Sequence, residues 1–322
     1  DKTLAGLQEH FGNGTVPFQI PIGVADEFLQ IIDILQMKLF TYDENGKAVA
    51  SDIPEEYQDE ADNLREFVIE SAAESDDGLT ERYLEEGALT DAEIAQGLKI
   101  GMLNRTLFPI FSGAVNKGIG VDLLLDFLVA FGPCPADLPL PVAHKEGSDE
   151  DVAIVPTDEG PLAAVVFKTI SESVGDLSFV RVFSGALKSG EDVFNTSRRA
   201  NERIGQIYSM NGGQREDMPA IGAGDIGALI KLKDTHTGNT LCGKSVHLEV
   251  PPVEFPHSLI RVAVETKSRG DEDKIGTGLQ HIHEEDPSFV SKFDPELHQI
   301  IAEGQGELHL TVVFAKLKKK YC

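Results

Sequence analysis

The sequence predicts a multidomain α/β plus β fold: a mixed α/β region, an all-β module and a βαββα sandwich, in that order. Three observations carry this. Helix and strand signals mix in the N-terminal region, short alternating runs replace them across residues 151–255, and mixed structure returns across residues 256–322. With 322 residues, 41% of them hydrophobic, the chain has the length for two or three domains with cores of their own.

In residues 1–150 the runs VPFQIPIG (Val16–Gly23) and FPIFS (Phe108–Ser112) are apolar and β-prone. Ile53–Gly78, Thr80–Glu86 and Thr90–Asn104 have helical spacing behind acidic or capping starts. In VDLLLDFLVAF (Val121–Phe131) apolar residues cover most of a helix, which the four prolines of GPCPADLPLP then stop; these mark a boundary, followed by the polar link HKEGSDED. Residues 151–255 carry AAVVFKTI, FVRVFSG, DVFNTS, RIGQIYSM, IGALIKL and VHLEV between Gly, Asn and Asp turns, the pattern of a closed barrel or a sandwich. Residues 256–322 read as the strand LIRVAVET, the helix DEDKIGTGLQHIHEED, the hairpin FVSKFDPELHQIIAEG and the helix ELHLTVVFAKLKKKY. In that last helix Leu310, Val313, Phe314, Leu317 and Tyr321 share one face, and its lysines suit the negative end of the helix dipole. The order matches a ferredoxin-like α/β sandwich with its last strand missing.

Net charge is −26, from 54 acids against 28 bases, which excludes chain-wide electrostatic attraction to nucleic acid. Sixteen acids fall between Asp52 and Glu93 against only Arg65 and Arg82, forming either a solvated helix face or a surface for a basic protein partner. Cys134, Cys242 and Cys322 are widely spaced without a CxxC pair, so they read as reduced structural thiols rather than a disulfide framework or a zinc site. No run of 18 apolar residues and no signal-like start occur, so no membrane span is expected and a cytoplasmic location is; the N-x-[ST] triplets at Asn13, Asn104 and Asn195 then carry no weight.

Several motifs spell chemistry that their contexts deny. GNTLCGKS (Gly238–Ser245) fits G-x-x-x-x-G-K-[ST], but it leads into VHLEVPPVEFP, whose alternation and prolines forbid the helix a phosphate loop needs; Lys244 and Ser245 read as turn residues. GAGDIG (Gly222–Gly227) likewise leads into a strand, which excludes a dinucleotide site. NKGI (Asn116–Ile119) has Ile119 where a guanine-reading loop has its carboxylate. The group His281, His283, Glu284 and Glu285 in HIHEED reads as an exposed polar helix end rather than a metal site, and Glu307 beside His309 as a dipole-favoured helix start.

The order of the modules and several phrases together resemble the translational GTPases of the elongation factor G type. VPFQIPIGVADEFLQIIDILQMKLFTYDENG is similar to the start of the family's insert, FPIFSGAVNKGIGVDLLLDFL to its fifth guanine-nucleotide motif with the helix behind it, and GPLAAVVFK, FVRVFSGALKSGEDVFN and AGDIGALIKLKDTHTGNTLC to its β-barrel second domain. EDPSFV and AEGQGELHL resemble the third domain and are the most specific phrases. The resemblance implies a partial P-loop GTPase domain with an α/β insert (1–150), a translation-factor barrel (151–255) and a ferredoxin-like third domain (256–322). It sets the family's Gly-Ser-Ala guanine motif on Gly113, Ala114 and Val115, two of three differing, where a backbone N–H meets the guanine oxygen. Asp1 would follow the family's NKxD motif, so the chain is expected to be a central piece of a GTP- and magnesium-dependent protein, itself neither binding GTP well nor hydrolysing it.

The implied role is ribosomal translocation, with transfer RNA and messenger RNA as indirect partners and the protein a monomer. By the same resemblance the barrel docks on small-subunit ribosomal RNA, with Arg181, Lys188, Arg198, Arg199 and Arg203 as phosphate contacts, and the acidic insert meets a basic stalk protein through Glu55, Glu56, Asp59 and Glu60. A ribosome-protection or ribosome-recycling GTPase, or a non-enzymatic ribosome-binding module, fits the same residues.

Overall fold

The computed structural model describes residues 2–321 apart from 13, 140, 149, 173–174 and 266–271; Asn13 and Cys322 thus lie outside the described residues. The chain divides into Asp1–Leu138 and Pro139–Cys322, parting inside the proline-rich segment.

In the first unit, helix α1 (Lys2–Phe11) leads into the strand Thr15–Pro17, which pairs in parallel with Phe108–Ile110. Gln19–Ile22 then opens an antiparallel meander with Gln30–Asp33, Lys38–Tyr42 and Ala48–Ser51. The apolar run Val16–Gly23 is therefore two strands, with Phe18 at the turn-over point. Its N–H donates to Ile110 O and its C=O accepts from Ile34 N–H. Its ring is fully buried and packs 5.8 Å from Phe111 and 5.3 Å from Phe127.

The acidic stretch forms α2 (Glu55–Ala73), α3 (Asp77–Glu86) and α4 (Asp91–Leu103). A helix over Ile53–Gly78 was the expectation; instead it starts after the extended Pro54 and stops near Glu74. The break is chemical, because Asp76 Oδ1 accepts from the Gly78 and Leu79 N–H groups and so caps a new helix. Thr90 and Glu93 close a capping box on α4. α2 and α4 meet at Gly97, where a Cβ would lie 2.2 Å from Ala72 O. Val68, Ala72, Ile94 and Leu98 of these helices share one core with Val16, Phe18, Ile32 and Phe127, the last from α5 (Val121–Phe131).

The second unit holds an antiparallel sheet in the order Ala200–Arg203, Asp192–Asn195, Thr240–Cys242, Ala163–Glu172, Gly175–Ser184, Ile226–Ile230, Ile207–Asn211 and Gln214–Met218. Val193, Leu241, Ala164, Val166, Val180, Val182, Leu229 and Ile207 all enter one core, so the sheet curls round it as a barrel. The alternate residues Ala163 and Val165 face a second core with Ile154, Cys242 and Leu248, which is why this strand reads as an unbroken apolar run. Ala143–Lys145, before residue 150, pairs with Leu248–Glu249 in this unit.

The C-terminal module is a three-stranded antiparallel sheet, Ile260–Val264, Gln299–Gly304 and Val290–Asp294 in spatial order, with α6 (Glu272–Glu285) and α7 (Glu307–Lys320). Leu310, Val313 and Leu317 are buried against Leu279, Ile282, Phe289 and Ala302, with Phe314 and Tyr321 packed alongside, so the apolar face read from the sequence is the one that packs. The chain order is βαββα among the described residues.

Candidate functional site

Past Phe108–Ile110 the chain enters the loop that carries Gly113, Ala114 and Val115. Its stem is set by Gln19, whose Oε1 accepts the Ser112 N–H at 2.9 Å. Ala114 and Ile119 exchange backbone bonds of 3.0 and 3.2 Å, and Gly118 and Gly120 take the left-handed φ values of 70° and 74° that a tight loop needs. Val115 is 79% exposed, and among the described residues neither the Gly113 nor the Val115 N–H has an acceptor. The loop thus has two backbone N–H groups without an acceptor among the described residues. Ile119 is fully buried beside Ile31, Tyr42 and Leu123, which gives it a packing role where a guanine-reading loop has an acid. Lys117 pairs with Asp26 at 3.2 Å.

Glu55, Glu56, Asp59 and Glu60 all lie exposed on the first two turns of α2. At i and i+4 spacing the four form one patch, on the turns where the helix dipole favours negative charge.

The barrel cations divide into three groups. Arg203 and Lys244 both reach Asp192, at 3.1 and 3.2 Å, and Arg199 reaches Glu146 at 3.2 Å. Arg181 lies half-buried over the Phe183 ring, 5.3 Å from its centroid. Lys188 and Arg198 are exposed and have no ion pair among the described residues. Lys244 sits in the turn between Thr240–Cys242 and Leu248–Glu249, so GNTLCGKS is strand and turn with no helix behind it, and GAGDIG runs into Ile226–Ile230.

Two residues that the sequence reading passed over organise the LKDTHTG loop. The buried Glu202 carboxylate accepts from Lys233 N–H, Asp234 N–H and Thr235 Oγ1, the last two at 2.7 and 2.8 Å. Asn195, fully buried, donates from Nδ2 to Thr235 Oγ1 at 2.9 Å and to Asn239 Oδ1 at 3.2 Å. So held, the loop presents His236 and Thr237 to the C-terminal module: His236 Nδ1 lies 2.6 Å from Glu284 Oε2, and Thr237 Oγ1 donates to Glu284 O at 3.2 Å.

HIHEED is therefore not an exposed helix end. His281 Nδ1 lies 3.2 Å from Ser171 Oγ on the barrel, and its ring stacks on Tyr321. Glu285 Oε1 accepts the Ser171 N–H at 2.8 Å, and His283 Nδ1 donates to Phe289 O at 2.6 Å. Ser197, Arg198, His236, Thr237, Asn239, His283, Glu284 and Pro287 line an open groove of about 330 Å³ at this junction. Groups of three or more metal-ligating side chains are absent among the described residues. His309 also does more than start a helix: its Nδ1 accepts from Gln305 N–H, so its Nε2–H donates to Asp286 at 3.0 Å. Burial opposes ionisation of Asp286, but hydrogen bonds from Ser288 and His309 prevail and hold its carboxyl below the usual range. AEGQGELHL thereby ties the end of α6 to the start of α7, while Gln305 Nε2 donates to Pro256 O and His257 O.

Residues 255–322 match the family model for elongation factor G, domain III, and residues 175–242 the model for elongation factor Tu domain 2. A crystal structure of a Thermus thermophilus protein superposes with a TM-score of 0.78 at 25% identity, over 98% of this chain and 45% of that one. The chain thus carries regions similar to elongation factor G domain III and to elongation factor Tu domain 2. It spans less than half the length of the solved structure it matches. The α6 and α7 ends of the junction fall within the domain III match, and His236 and Thr237 within the domain 2 match. Ser171, whose backbone meets Glu285, lies just before it.

Proposed function

We propose that this chain is the relay section of a GTP-driven ribosomal translocase, turning nucleotide state into movement of transfer RNA and messenger RNA. The observation that carries this is the junction: a barrel and a third module joined through Ser171, His236 and Thr237 on one side and Glu284 and Glu285 on the other, all polar contacts. Polar contacts of this kind re-form after a rotation at less cost than an apolar core.

In this reading Gly113 and Val115 offer N–H donors to the guanine oxygen of GTP, and GTP with magnesium supplies the free energy of the switch. Lys188 and Arg198 take small-subunit ribosomal RNA phosphates, because they alone of the five barrel cations are exposed and unpaired among the described residues. Arg199 and Arg203 are less available, each held by a carboxylate. The acidic patch on α2 takes the basic stalk protein, in the cytoplasm.

Co-sedimentation with ribosomes tests the reading. The chain is expected to pellet with ribosomes at low salt, with affinity falling as salt rises, and Lys188→Glu with Arg198→Glu is expected to weaken binding and flatten that salt dependence. Absence of binding at about 50 mM salt, or no response to the two reversals, overturns it.

A further inference from the structure

Glu285 stands where three elements meet. Its side chain is only 5% exposed. Oε1 accepts the Ser171 N–H at 2.8 Å from the barrel and the Lys320 ammonium at 2.8 Å from α7, and Lys316 closes on Oε2. Lys320 also donates to Ser171 O. Both backbone polar groups of Ser171, at the end of the strand Ala163–Glu172, are thus spent on the third module. Burial alone would drive the Glu285 carboxyl towards its neutral form; the two lysines and the Ser171 N–H outweigh it and hold the group ionised.

The other charged contacts of the junction are more open. In the His236–Glu284 pair the side chains are 35% and 19% exposed, and in the His281–Asp176 pair 39% and 41%. Solvent and salt screen these more than they screen Glu285. Removing one partner of a buried, multiply bonded charge costs far more than loosening a surface pair. Glu285 therefore has a grip on the angle between barrel and third module that the histidine contacts lack.

We propose that Glu285 is the positioning residue that sets this angle, a buried latch in which one carboxylate binds the barrel backbone and two α7 lysines at once. Lys316 and Lys320 belong to the same module as Glu285 and hold its carboxylate charged and in place, so that the Ser171 contacts across the junction have a defined seat rather than a range of orientations. The latch deepens the relay and rests on it for its use, whereas its geometry can be measured without a ribosome.

The test places spin labels at Ser209 on the barrel and Lys318 on α7, both exposed, with Cys134 and Cys322 changed to serine, and measures their separation by pulsed dipolar spectroscopy. The starting chain is expected to give one narrow distribution. Glu285→Gln is expected to broaden or displace it, and Lys316→Gln with Lys320→Gln to do the same, while circular dichroism stays that of the folded chain. A narrow, unshifted distribution in both folded variants overturns the latch. Should Glu285→Gln fail to fold, the lysine pair decides, because those side chains lie partly in solvent. Ribosome binding by the unmodified chain is scored separately, so its absence removes the relay reading and leaves the latch to its own result.

Discussion

At Asp137 a single carboxylate ties the end of α5's trailing segment back to α4. The Cys134 thiol, the Lys99 ammonium at 2.6 Å and the Cys134 N–H at 2.7 Å all favour its charged form, and together they hold its pKa at about 2. Because the folded value is the depressed one, the tie is complete above the ordinary aspartate range of ~3.9 and is lost as pH falls towards the folded value. A carboxyl-carbon NMR titration is expected to show Asp137 titrating near 2; a midpoint at the ordinary value would mean that the thiol and ammonium contacts are not formed in solution. Asp137 was visible in the sequence only as one acid among four prolines, since nothing in GPCPADLPLP shows that Lys99 lies opposite. Glu202 and Asn195 were illegible for the same reason: their partners are some thirty to forty residues away, brought close by sheet pairing. The face on Leu310, Val313 and Leu317 was legible because helix periodicity is local.

Between elements, α4 approaches α2 closely at Gly97. Gly97 lets the two backbones touch, and a methyl group there has nowhere to go, since Ala72 O is part of a helix. Gly97→Ala is expected to cost about 1–3 kcal/mol through overpacking, even though alanine is the better helix former, and thermal unfolding of the variant measures this. A neutral or stabilising result would show that α2 and α4 can part at Gly97. The sequence placed these helices but ran α2 on to Gly78, because in the polar run ESDDG the capping role of Asp76 looks the same as an acid on a helix face. The meander strands Gln30–Asp33, Lys38–Tyr42 and Ala48–Ser51 escaped it altogether. Each is short and lies beside polar residues, and each takes its strand character from its neighbours rather than from its own composition. HIHEED was misjudged by the same logic, since a helix end looks solvated until another module is set against it.

For the whole molecule, charge is unevenly distributed along the chain. The helices of the first unit concentrate acidic residues, while the barrel exposes Lys188 and Arg198 without an ion pair among the described residues. Charge reversal at Glu55, Glu56, Asp59 and Glu60 is expected to weaken capture of a basic stalk protein, with most of the difference vanishing by ~1 M salt, where the screening length is only ~3 Å. Titration of the variant against the unmodified chain at two ionic strengths measures it; equal affinities would mean that the patch only solvates the helix. The module order was legible because it needs only a change of periodicity along the chain. The seating of the third module on the barrel was not, because it rests on Ser171 and on a loop shaped by Glu202. The parallel pairing of Thr15–Pro17 with Phe108–Ile110 also has a consequence in time. The stem contact beside it, Gln19 to Ser112, spans 93 residues. At the usual ~5–20 residues per second of synthesis, the first strand waits roughly 5–20 s for its mate. Until then Phe18, destined for the centre of the first core, has the meander on one side and nothing on the other, and the nascent chain is most open to misassociation in that interval.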